Sequence, residues 1–68
     1  MTLGQQVRTA REAKGLSQRA LGELVGVTDK MISKIEREHT TTSGVIERLA
    51  GALGVRITFG DESQRTAA

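Results

Sequence analysis

Leu16-Ser17-Gln18-Arg19-Ala20-Leu21-Gly22-Glu23-Leu24-Val25-Gly26-Val27-Thr28-Asp29-Lys30-Met31-Ile32-Ser33-Lys34-Ile35-Glu36 carries the signal for a helix start twice in quick succession. Ser17 offers an N-cap oxygen, and Leu16 and Leu21 are spaced to form a hydrophobic staple across it. Leu24 and Val25 continue the apolar stripe, and Gly26 supplies the stop. One residue later the pattern recurs, with Val27 and Ile32 as the staple, Thr28 as the cap and Ile35 one turn on. Two helices joined by so tight a turn cannot lie side by side antiparallel. The Leu21/Leu24 face and the Ile32/Ile35 face are therefore expected to meet at a steep angle around a small corner.

Working outward, Leu3, Val7 and Ala10 mark one face of a helix over Thr2 to Lys14, with Thr2 and Gln5 spaced as a capping box and Gly15 as its stop. Downstream, Arg37 to Ser43 is polar and β-branched without a helical period and reads as a loop, with His39 as a solvent-exposed member. A further helix follows on Val45, Ile46, Leu49 and Leu53, capped by Thr42 or Ser43 and ended by Gly54. Gly51 inside it costs about 1 kcal/mol relative to alanine, which points to a close packing contact there. The period then changes: Val55, Ile57 and Phe59 alternate with polar or small residues, the pattern of a strand over 55–59. A lone strand is unstable and no second one is visible, so its expected partner is the same strand of another copy. The alternative is that these three side chains patch the domain's own core. Residues 61–68 read as a flexible tail.

Composition agrees with a small helical domain. The chain has 68 residues, 37% hydrophobic and 26% charged, with Phe59 as its one aromatic and no proline. Aliphatic residues must then build the interior, which favours short packed helices over a sandwich or barrel. A chain this short commonly needs a staple, and with no cysteine and a single histidine, association is the expected one. Catalysis finds no support: there is no Cys/His pair, no paired carboxylates in an apolar cleft and no Walker-type loop. No metal site and no cofactor are expected, and the chain reads as a non-enzyme. No apolar run approaches membrane length and the start lacks signal-peptide features, so the expected location is the cytoplasm. Charge is uneven. Residues 1–37 hold seven Lys/Arg against four Asp/Glu, whereas residues 38–68 hold three against four, so basicity belongs to the first half.

Gly15-Leu16-Ser17-Gln18, Gly26-Val27-Thr28 and Ile32-Ser33-Lys34-Ile35-Glu36 stand in register, and with them the chain resembles the Cro/CI-type, λ-repressor-like or XRE helix-turn-helix family. The match also takes in Arg8, Arg11 and Leu49 to Val55, and so covers roughly residues 3 to 55. The family usually has a glycine where Glu38 stands and a proline where Thr42 stands, and often a fifth helix where this chain turns to a strand pattern. The resemblance implies a mainly α, λ-repressor-like bundle of four short helices, with residues 1–60 as one DNA-binding domain. The C-terminal strand would pair across a dimer through Val55, Ile57 and Phe59, as in the small antitoxin repressors of this family. The implied function is a sequence-specific double-stranded DNA-binding regulator, a repressor acting as a homodimer on a two-fold symmetric operator. The alternative is an antitoxin that binds a toxin protein and regulates its own operon.

The second helix of the pair turns Asp29, Lys30, Ser33, Lys34 and Arg37 away from Ile32 and Ile35. A helix that begins at Thr28 also exposes a first turn of free N–H groups, which suits phosphates and a major groove. Asp29, Lys30, Ser33 and Lys34 are the candidate base readers; for Asp29, Lys30 and Lys34 the resemblance implies that role. A lysine can donate to guanine O6 and N7. Asp29 would either accept from a cytosine amino group or serve as an acid at a helix N-terminus. Met31 would touch a thymine methyl or shield the corner. Gln18, beside the Ser17 cap, together with Arg19, Thr28 and Arg37, forms the candidate phosphate-binding set. The resemblance implies an ion pair between Arg11 and Glu36 that ties the first helix to the end of the reading helix.

Overall fold

The computed structural model describes residues 1–57. They form four helices, α1 (Leu3–Ala13), α2 (Gln18–Val25), α3 (Asp29–Glu38) and α4 (Ser43–Leu53). Every helix starts on a hydroxyl cap in extended backbone: Thr2, Ser17, Thr28 and Thr42 accept from the backbone N–H groups of Gln5, Ala20, Met31 and Val45. These oxygens satisfy donors that a helix leaves unpaired, each worth about 1 kcal/mol. At α1 the box is complete, since Thr2 N–H donates back to Gln5 Oε1 at 2.9 Å.

One apolar cluster holds the helices together: Leu3, Val7, Leu21, Val25, Ile32, Ile35, Val45, Ile46, Leu49 and Leu53 are buried. Ala10, Leu16, Val27, Ala52 and Ile57 pack around it. α3 lies against α1 and α2, and α4 closes the far side of the same pair. The corner between α2 and α3 is possible because of Gly22. A Cβ there would stand 2.6 Å from Val27 O, a backbone atom.

Several expectations change in three dimensions. Leu24 is 60% exposed and lies outside the core. At about 100° per residue, a face centred between Leu21, Gly22 and Val25 leaves Leu24 a quarter-turn away. Gly51 meets nothing within 4 Å of an added Cβ, so no close contact explains it. The close approaches are at Gly4 and Gly22 instead. α3 continues through Glu38, and its left-handed stop falls on His39, at φ 62°. His39 is half-buried rather than free in solvent, with Nδ1 3.0 Å from Thr2 Oγ1. Among the described residues there is no strand. Val55 to Ile57 run on past α4 as a bend and irregular chain, with Ile57 against the chain's own core. Thr58 and Phe59, the rest of the expected strand, and the expected tail 61–68 lie outside the described residues. No described helix is long and apolar enough to cross a membrane.

Candidate nucleic-acid interface

The caps and the core together decide which face of α3 stays bare. Ile32 and Ile35 are drawn fully inward, so Asp29, Lys30 and Lys34 are left exposed and Ser33 half-buried. Among the described residues neither Lys30 nor Lys34 has an ion-pair partner, which leaves both ammonium groups available to donate. Asp29 Oδ1 accepts from Lys30 N–H at 2.9 Å, which engages one carboxylate oxygen with the helix N-terminus. Thr28 Oγ1 accepts from Met31 N–H at 3.1 Å, and its own hydrogen remains to be donated. Met31 is partly exposed on the same turn.

Beside this face lies a hollow of about 360 Å³, lined by Arg8 and Arg11 from α1, Gln18 from α2, and Ser33, Glu36 and Arg37 from α3. Its floor is an ion pair. Arg11 Nε donates to Glu36 Oε2 at 2.7 Å and a second guanidinium nitrogen donates to Glu36 Oε1 at 3.2 Å. The third nitrogen donates to Leu16 O at 2.8 Å. Gln18 Nε2 also donates to Glu36 Oε1, at 3.2 Å, which leaves its other amide hydrogen unused by that bond. The hydrogen bond to Glu36 raises the Arg11 pKa above its ordinary value, against a lowering by burial, and the charges of Glu36 and Glu12 add to the rise. This stabilisation is fully present below the ordinary arginine value and is lost only as pH climbs through the folded one, far above the physiological range.

With Glu36 committed to Arg11, the rim of the hollow is cationic. Arg8 and Arg37 are exposed there, and among the described residues their ion-pair partners are the exposed Glu12 and Glu38, at 3.2 and 3.7 Å. Arg19 stands further out, 3.8 Å from Glu23. Exposed pairs of this kind hold their partners weakly, so these guanidiniums can exchange a carboxylate for a phosphate.

A helix-turn-helix family model matches residues 7–59, the segment that builds α2, the corner, α3 and the hollow. The chain belongs to the DNA-binding helix-turn-helix family of XRE/Cro-CI type. This helix-turn-helix protein is 32% identical over 66 residues to the immunity repressor of Bacillus phage phi105, a match covering 93% of the chain. The chain spans 46% of that relative's length. Its fold superposes on the c2 repressor of P22, solved in complex with a synthetic operator, with a TM-score of 0.77 and 32% identity, over 82% of this chain and 86% of that one. Both relatives are repressors, and neither lends support to the antitoxin alternative.

The helix-turn-helix fold brings Asp29, Lys30, Ser33 and Lys34 onto one side of α3 and sets Gln18 and Arg37 on the adjoining hollow. Arg8 joins them; the sequence places it within the family resemblance but not among the candidate DNA-contacting residues. The signal was available, because Arg8 precedes Arg11 by three residues and so shares its side of α1. Val55 is 41% exposed, while Ile57 is turned to the core. Among the described residues no cluster of His, Cys, Asp or Glu is suited to a metal.

Proposed function

We propose that this helix-turn-helix protein is a sequence-specific double-stranded DNA-binding repressor that acts as a homodimer on a two-fold symmetric operator. The observation that carries this is the bare, cationic outer side of α3 beside a basic hollow built by three helices. The likeness to a repressor solved with its operator supports it. In this reading α3 enters the major groove, and Lys30, Lys34, Ser33 and Asp29 meet base edges. Gln18, Arg19, Thr28 and Arg37, with Arg8 added, grip phosphates and set the register. Glu36 has no role in proton transfer; it holds Arg11 and Gln18. Occupying a promoter excludes other proteins from it, which is the simplest route to repression.

Dimerisation through Val55, Ile57 and Phe59 remains part of the proposal. The exposure of Val55 supports it, while the seat of Ile57 on its own core limits that side chain's share. Selection of bound duplexes from a random pool is the deciding experiment. The expected result is an inverted repeat with half-sites about 34 Å apart. No complex on diverse duplexes at low ionic strength would overturn the reading.

A further inference from the structure

The end of α3 is fastened to α1 in two places, and only one of them is the Arg11–Glu36 pair. The other is His39. Its backbone takes the left-handed conformation at φ 62°, the one non-glycine residue of the described chain to do so, and its N–H caps Ile35 O at 2.8 Å. Side chains adopt this conformation reluctantly, and it persists where surrounding contacts hold it. Here the contact is a hydrogen bond between Nδ1 and Thr2 Oγ1, the cap of α1. The same Oγ1 accepts Gln5 N–H at 3.2 Å, so one hydroxyl serves the start of α1 and the end of α3 together. Gly4 makes the approach possible. A Cβ there would lie against His39 Nδ1, 2.5 Å from Glu36 O and 2.7 Å from Ile35 O.

We infer that His39 is a positioning residue that, through Thr2, sets the tilt of α3 and thereby the discrimination between operator and other DNA. The inference rests on the proposed DNA-binding reading. Ten residues of helix span about 15 Å, so a tilt of about 4° at the His39 end moves the Asp29 end by about 1 Å. That displacement is enough to spoil hydrogen bonds to base edges, whereas flexible arginines on phosphates follow it. Holding α3 at both flanks of its last turn therefore acts on base reading more than on backbone grip.

The test compares the full chain with His39→Gly, which relieves the backbone and removes the imidazole, and with Thr2→Ser, which keeps both cap and hydroxyl. Affinity is measured for the selected operator and for a scrambled duplex, alongside the melting temperature. His39→Gly is expected to melt no lower than the parent and to lose about five- to tenfold in operator affinity. Its affinity for scrambled DNA should stay within about twofold. Thr2→Ser should match the parent on both duplexes. An unchanged affinity ratio would overturn the proposal. Amide exchange in the free protein separates this outcome from failure of the DNA reading: loss of the imidazole must speed exchange at Gln5 as well as at position 39. A parent chain that binds no duplex refutes DNA binding alone, and unaltered exchange at Gln5 refutes the latch.

Discussion

Arg11 and Glu36 are 12% and 6% exposed, and each is the other's main partner, so the two positions are informative about stability and architecture at once. Arg11→Ala leaves a covered carboxylate whose remaining hydrogen-bond donor among the described residues is Gln18, and it frees Leu16 O. The covering layer is thin in so small a domain, so the expected loss is about 2–3 kcal/mol, below the figure for a deeply buried pair. Urea melts at neutral pH measure it. Glycines give a second contrast. Gly22→Ala should cost about 1–3 kcal/mol, because the new methyl meets the carbonyl of Val27 and backbone must move. Gly51→Ala, with open space around it, should gain about 0.5–1 kcal/mol by helix propensity and a less flexible unfolded chain. If thermal melts rank these two variants the other way, the corner geometry described for Gly22 is wrong.

At the scale of elements, the helix ends were legible because capping is local chemistry. Thr2, Ser17 and Thr28 each declare a start through a hydroxyl that reaches three residues along its own chain, and Gly26 and Gly54 declare stops. The end of α3 was not, because a histidine takes the left-handed position at His39 and the interaction that holds it comes from Thr2, far away in sequence. Leu24 fails for a related reason. In a helix of eight residues the apolar spacing fits two faces, and the packing of α3 and α4 selects the one with Leu21 and Val25. Leu24→Gln should accordingly change stability by no more than about 0.5 kcal/mol, against several for Leu21→Ala. Paired denaturation curves check this directly.

For the whole molecule, the proposed interface separates two kinds of contact that should respond differently. Lys34→Ala should cost about 1–3 kcal/mol on the operator and relax preference at one base position. Arg8→Gln should weaken every duplex alike and reduce the slope of log affinity against log salt by about 1. Binding isotherms from low to moderate salt distinguish the two. A base-dependent effect of Arg8→Gln would move that residue from the phosphate set to the reading set.

Alternation of apolar and capping residues along the chain was sufficient to place four helices, their order and the tight corner, because each of those features depends on contacts within a few residues. It was also sufficient to place Lys30 and Lys34 on the side of α3 away from Ile32 and Ile35. Only the tertiary structure decided that Arg8 joins Gln18 and Arg37 around one hollow, that Gln18 shares Glu36 with Arg11, and that Gly4 and Gly22, not Gly51, mark the close approaches. Those facts depend on how α1, α2 and α3 are rotated against each other. Rotation is fixed by the shape of a shared core, a property that no single stretch of sequence contains.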